Sequence, residues 1–245
     1  MIELRNIHLE FDGKVVLKNV NYVLKRGDSA VVLGPSGIGK TVLLKLMVGL
    51  LFPTSGQVVI DGLDITRMSH GEMRNIRKNI AVVFQAGALF DSLTVGENVG
   101  FRLFEEGRLT EKEIEAIVQE KLRQVGLEGT MDLYPHQLSG GMKKRAAIAR
   151  ALAGSPEFIL FDEPTSGLDP IATFNFDSLI TMLRGHGITI MVVTHTLISA
   201  YRIGKRFTML HDGEIIYDGD RDGFLNSKHP AIQQFLTPAV KQQSS

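Results

Sequence analysis

The chain opens on alternation. From Ile2 to Leu24, apolar and polar residues alternate in two runs, broken at Asp12-Gly13 and closed at Arg26-Gly27. That is the pattern of half-buried strands joined by a turn, and it predicts an antiparallel sheet. The alternation then stops. Ser29-Ala30-Val31-Val32-Leu33 is almost wholly apolar and runs straight into glycine, as a strand buried on both faces does. Thr41–Leu50 has helical character, Pro53 to Gly56 reads as a turn, Gln57–Ile60 as a strand, Arg67–Lys78 as a polar helix and Ile80–Phe84 as another strand. From Ala86 to Ala153 the pattern is mostly helical. Thr110 and Glu113 form a capping box, and Ile114, Ile117, Val118, Leu122 and Val125 recur on one helical face. Strand-like runs return at Phe158–Phe161, Ile188–Thr194 and Phe207–Leu210, and Gly213 and Gly219 punctuate a last hairpin. The polar end, Lys241 to Ser245, is expected to lack structure.

Strands alternating with helices predict an α/β fold with a mainly parallel sheet covered on both faces. The expected organisation is a single domain over 1–245. Its core comprises 1–85, including the antiparallel β part, and 153–228; a helical subdomain is inserted at 86–152, and a tail runs over 229–245. Composition narrows the function. A chain of 245 residues can bury a sizeable core without staples. Lys+Arg and Asp+Glu are both 27, and zero net charge argues against a general nucleic-acid binder. With no cysteine there is neither a disulfide nor a thiolate metal site. No apolar run approaches the ~20 residues of a spanning helix, and Met1 to Glu10 lacks a signal-peptide core. Any membrane role is therefore expected to be peripheral, through a partner.

Two stretches carry chemistry. Gly34-Pro35-Ser36-Gly37-Ile38-Gly39-Lys40-Thr41 matches G-x-x-x-x-G-K-[ST], placed after a strand and before a helix. Its glycines let backbone N–H groups turn inward around a phosphate, and the helix N-terminus adds partial positive charge. Lys40 is placed to reach β- and γ-phosphates, and Thr41 to bind Mg²⁺. The second stretch is Phe158-Ile159-Leu160-Phe161-Asp162, an apolar run ending in an acid and followed at once by Glu163. In open parallel sheets ligands bind at the carboxyl ends of strands. Asp162 is placed to hold the Mg²⁺ shell, and Glu163 to orient and deprotonate an attacking water. The histidines His70, His136, His186 and His211 show no metal-ligand spacing and read as surface residues.

Leu138-Ser139-Gly140-Gly141-Met142 resembles the signature motif of ABC ATPases, and Phe161 to Asp169 resembles their Walker B segment and D-loop. Gln85 resembles the Q-loop residue, His195 the switch histidine, and Phe11 the aromatic residue that stacks on adenine. Alone, Gln85 would be an exposed strand end, His195 a loop histidine and Phe11 a core aromatic. The motifs fall in order along essentially the whole chain. The resemblance implies a P-loop NTPase (RecA-like) core, ATP and Mg²⁺ as ligands, and a head-to-tail homodimer. In that dimer Ser139, Gly140 and Gly141 close the site of the other copy. It implies nucleotide-binding roles for Phe11, the loop Gly34 to Thr41, Gln85, Asp162 and Asp169, with Thr41, Gln85 and Asp162 at the metal. Glu163 and His195 are the implied catalytic pair. Met142 replaces the usual glutamine and Thr196 the acid that often follows the switch histidine; neither change removes a phosphate, metal or base group.

The wording Phe84-Gln85-Ala86-Gly87-Ala88-Leu89-Phe90, together with Leu138 to Arg145, resembles the subgroup that powers phospholipid transport with MCE proteins, which includes the Mla and Mkl ATPases. It implies permease subunits, an MCE-domain lipid-binding partner and a place at the cytoplasmic face of the inner membrane. In this family the segment after Gln85 lines the groove for a helix of the membrane subunit, whereas a plain reading makes Leu89 and Phe90 helical-subdomain core. Alternatives are an ATPase for a polar-solute importer, such as an amino-acid system, and a non-transport ABC ATPase.

Overall fold

The computed structural model describes residues 1–242, with all side chains among them except those of His70 and 238–242. The chain begins with strands β1 (Ile2–Phe11), β2 (Lys14–Leu24) and β3 (Ser29–Leu33), then helix α1 (Lys40–Met47). Strands β4 (Ser55–Ile60) and β5 (Leu63–Asp64), helix α2 (His70–Ile76) and strand β6 (Ile80–Val83) follow. Three helices come next: α3 (Val95–Glu106), α4 (Glu111–Gln124) and α5 (Gly140–Ala153). Strand β7 (Phe158–Asp162), helix α6 (Pro170–Gly185), strand β8 (Thr189–Thr194) and helix α7 (Leu197–Ile203) return the chain to the sheet. The hairpin β9 (Arg206–His211) and β10 (Glu214–Asp220) leads to α8 (Arg221–Leu225) and α9 (Pro230–Gln242).

The early alternation makes an antiparallel sheet of order β2-β1-β4-β5. Its first turn, Asp12-Gly13, has φ of 49° and 76°, the left-handed pair that a two-residue hairpin requires. The larger sheet has order β10-β9-β3-β8-β7-β6 and is parallel except for the β9–β10 hairpin. Strands β3, β7 and β8 are buried at every position, so their run of apolar residues reads as continuous. The sheet divides two cores. Val31, Leu33, Ile159, Phe161, Ile190 and Val192 face the helical layers. Ala30, Val32, Phe158, Leu160, Met191 and Val193 face α1 and the antiparallel sheet. Each fully buried Phe, Ile or Leu of these strands contributes about 1.5–3 kcal/mol.

The helical insert is α3, α4 and α5. Thr110 and Glu113 cap α4 reciprocally, and Ile114, Val118 and Leu122 are buried on its inner face. Two expectations change. Gly219 is not a turn: it pairs with Phe207 inside β10, where a side chain would meet the Tyr217 hydroxyl at 2.7 Å. The last hairpin turns at Asp212-Gly213 instead, with φ of 47° and 82°. The stretch from 229 contains helix α9, docked through Ile232 and Leu236, which are both buried. Lys241 and Gln242 finish that helix; 243–245 lie outside the described residues. Helix α6 has no clean period because Ile171, Phe174 and Met182 are exposed opposite the buried Phe176, Leu179, Ile180 and Leu183. Among the described residues, no helix is long and apolar enough to cross a membrane.

If α9 is part of the fold, Ile232→Ala lowers unfolding stability by about 2–5 kcal/mol, the usual range for a buried isoleucine. Urea denaturation measures it, and an unchanged midpoint would mean that α9 contributes no packing.

Candidate active site

Strand β3 delivers the phosphate loop. A side chain at Gly34 would stand 2.5 Å from the Leu210 carbonyl oxygen of β9, so only glycine fits there. Gly37 and Gly39 have φ of 79° and 107°, and Gly39 is the residue before α1. The loop thus wraps the N-terminus of α1, where unpaired N–H groups favour an anion. Ile38 packs against the core beside α1, while Pro35 and Ser36 are exposed. Lys40 is buried, and its ammonium donates to the Gly34 and Pro35 carbonyls at 2.8 and 2.9 Å.

Strand β7 delivers the acids to the same edge. Thr41 Oγ1 donates to Asp162 Oδ1 at 2.8 Å. Burial holds the Asp162 carboxyl above the usual aspartate range; the Thr41 hydrogen bond opposes this and the nearby Glu163 adds to it. Glu163 has φ of 45°, rare for a residue with a side chain, and its N–H still donates to the Val193 carbonyl at 2.9 Å. The left-handed turn swings its carboxylate back over the loop. Oε1 lies 3.3 Å from Lys40 Nζ. Oε2 accepts from Thr194 Oγ1 at 3.2 Å and lies 3.0 Å from His195 Nδ1. With Glu163 ionised, Nδ1 carries the hydrogen, since a carboxylate only accepts.

Phe11, Gln85, Ser166 and His195 join Lys40, Thr41 and Glu163 around one cleft of about 450 Å³. Phe11, 44 % exposed, ends β1 at its rim. Gln85 Nε2 donates to Ser166 Oγ at 3.1 Å. Leu89 packs against the helical core, whereas Phe90 is exposed and lies on Phe101 with ring centres 4.8 Å apart. Two groups of predicted residues stand elsewhere. Ser139, Gly140 and Gly141 sit at the start of α5, where Ser139 Oγ accepts from the Met142 N–H at 3.2 Å. Asp169 caps α6, its Oδ1 accepting from the N–H groups of Ile171 and Ala172 at 2.9 Å each. Met142 packs against the helical core. His136 and His186 are exposed, but His211 is half-buried and lines, with His195, a second cleft beside α9, where its Nδ1 has no partner among the described residues. The side chain of His70 lies outside the described residues.

Sequence reasoning missed two groups at this centre. Thr194, the last residue of β8, holds Glu163. Lys144 of α5 is buried, and its ammonium donates to the Pro164 and Ser166 carbonyls at 2.7 and 2.6 Å. Burial draws Lys144 below the usual lysine range, with Glu163 opposing. The only signal was a lysine at a helical position facing the core, hidden in the basic run Lys143-Lys144-Arg145.

The arrangement sets an anchored ammonium, a hydroxyl–carboxylate pair and a carboxylate–imidazole pair around an anion-seeking helix end. Such a centre can hold a polyphosphate and activate water beside it. It also costs stability. Because folding raises the Asp162 pKa, the native state binds the proton more tightly than the unfolded chain, and stability falls as pH rises from the ordinary aspartate range through the folded value. Asp162→Asn should therefore raise the urea midpoint at pH 7. The gain should vanish when the pH is lowered through the ordinary aspartate range; equal midpoints at pH 7 would remove the burial argument.

Comparison with known proteins agrees with this geometry. A family model described as ABC transporter matches residues 17–166. The intermembrane phospholipid transport system ATP-binding protein MlaF of Haemophilus influenzae is 40 % identical over 96 % of this chain and 90 % of its own length. "Probable ribonucleotide transport ATP-binding protein mkl" of Mycobacterium tuberculosis is 41 % identical over 96 % of this chain and 66 % of its own. The methionine import ATP-binding protein MetN of Carboxydothermus hydrogenoformans is 39 % identical over 99 % and 73 %. Among solved structures, a dimeric ATP-binding cassette in a post-hydrolysis state with ADP and Pi superposes with a TM-score of 0.83. It is 35 % identical and covers 90 % of this chain and 98 % of that one. With the phosphate loop, the acids at the end of β7 and the histidine after β8 meeting at one sheet edge, the chain belongs to the ABC transporter family, as an ATP-binding subunit that hydrolyses ATP.

Proposed function

We propose that two copies of this chain sandwich two ATP molecules and power a permease that moves phospholipid with an MCE-domain partner, at the cytoplasmic face of the inner membrane. The hydrolytic part rests on one observation, the convergence of Lys40, His195 and Glu163, whose carboxylate lies within 3.3 Å of both. Lys40 and the loop Gly34 to Gly39 bind the β- and γ-phosphates, and Phe11 stacks on adenine. Glu163 takes a proton from water as its oxygen attacks the γ-phosphorus and the bond to the β-phosphate oxygen breaks, leaving ADP and phosphate. Thr194 and His195 hold Glu163 for that transfer, and His195 supports the γ-phosphate. Ser139, Gly140 and Gly141 of the second copy close the site. Asp169 acts through the turn it anchors at α6.

Oxygen donors suit a hard cation, and the Thr41 hydroxyl and Asp162 carboxylate stand side by side at the loop end. Thr41, Asp162 and Gln85 would hold Mg²⁺, with phosphate oxygens completing the shell. The ion supplies neutralisation of charge between the β- and γ-phosphates.

The lipid reading is supported by the likeness to MlaF along nearly all of both chains. The second reading, a polar-solute importer, is supported by MetN at almost the same identity. Purification of the intact membrane complex, with mass spectrometry of proteins and bound lipids, separates them. An MCE-domain protein and phospholipid are expected; a soluble solute-binding protein in their place would overturn the lipid reading. For the hydrolytic step, Glu163→Gln should keep ATP binding and lose at least about a hundredfold in kcat, in the range of general-base removal. Hydrolysis at the parent rate in that variant would show that another group is the base.

A further inference from the structure

The turn from Glu163 to Ser166 is gripped from several elements. Ser166 N–H donates to the Glu163 carbonyl at 3.2 Å and closes the turn on itself. Gln85 reaches Ser166 Oγ from the end of β6. Thr165 Oγ1 and Ser199 Oγ, both buried, lie 3.4 Å apart and tie the turn to α7, which follows His195. The strongest grip comes from α5. Lys144 places one charge on two carbonyls, Pro164 and Ser166, that flank Thr165. A charged donor makes bonds roughly twice as strong as a neutral one, and buried carbonyls left without it are costly. Lys144 stands one helical turn and one residue beyond Ser139, on the helix that opens with Gly140 and Gly141. The two loops also approach directly, since a side chain on Gly141 would lie 3.9 Å from Leu168 Cδ2.

We infer that Lys144 is a positioning residue that makes the Ser139–Gly141 segment and the Glu163 turn of one chain move as a single piece. The consequence rests on the shared-site reading above. When the signature segment of one copy seats on the nucleotide of the other, Lys144 carries that displacement to Pro164 and Ser166, and so to Glu163 in its own site. Each site is then set by closure of its neighbour. The link runs inside one chain, through a side chain whose hydrogen bonds among the described residues go to the Pro164 and Ser166 carbonyls and not to the phosphate loop. Coupling of this kind is a free energy between two sites, visible as cooperativity.

The test uses the full chain and three versions of it: parent, Lys144→Met and Lys144→Arg. Binding of a fluorescent trinitrophenyl-ATP reports the phosphate loop, and steady-state hydrolysis at varied ATP reports kcat and the Hill coefficient. Lys144→Met should bind the probe within about twofold of the parent, while kcat falls about tenfold, the rate equivalent of one charge-assisted hydrogen bond. Its Hill coefficient should drop from about two, the number of sites, to about one. Lys144→Arg keeps charge and donors and should recover most of the cooperativity. A Lys144→Met protein that hydrolyses with the parent's Hill coefficient overturns the inference, whatever its kcat. So does loss of probe binding in step with kcat, which marks a merely structural lysine. If Lys144→Met does not fold, Lys144→Gln, which keeps a neutral donor, is judged by the same two criteria. A parent Hill coefficient of one, with no ATP-dependent dimer, counts instead against the shared site itself.

Discussion

Parallel strands end together. Because β3, β6, β7 and β8 run the same way in one sheet, the segments after them emerge at one edge, whatever their separation in the chain. Lys40, Gln85, Glu163 and His195 each follow one of those strands closely. The chemistry of the site therefore depends on backbone pairing in the sheet more than on any local loop preference. Burial of both faces holds that pairing, with the helical layers on one side and α1 with the antiparallel sheet on the other.

The same edge concentrates what is unfavourable. Glu163 is held in a left-handed conformation, Asp162 is a carboxyl at a buried position, and Lys40 and Lys144 are basic side chains with almost no exposure. Each is offset by specific partners: the Val193 carbonyl for the Glu163 N–H, Thr41 for Asp162, and pairs of backbone carbonyls for the two lysines. Strain of this sort persists only where surrounding structure over-determines it, and here the ends of β3, β7 and β8 with helices α1 and α5 do so.

Much of the site was legible before any fold was known. Gly34 to Thr41 announces itself because a phosphate loop needs glycine at fixed offsets, and Asp162-Glu163, which alone could as well cap the next helix, because they end an apolar strand in a chain that carries that loop. Lys144 was illegible for the opposite reason. Its partners are main-chain carbonyls twenty and more residues away, and carbonyls leave no mark in a sequence. Thr194 looked like one more β-branched strand residue. Helix α6 escaped because its apolar residues surround the axis, and α9 because its core contacts among the described side chains, Ile232, Phe235 and Leu236, are too few to set a period.

The division of each central strand between two cores has one more consequence. Odd-numbered side chains of β3 belong to the helical side and even-numbered ones to the antiparallel side, so a slip of one residue would exchange both sets at once. Both cores thus act as a ratchet on the same strand. Gly34 follows directly on its end and leads the loop to Lys40, so the position of the phosphate loop along the sheet is quantised in steps of a whole residue pair, inherited from the packing of the strand before it.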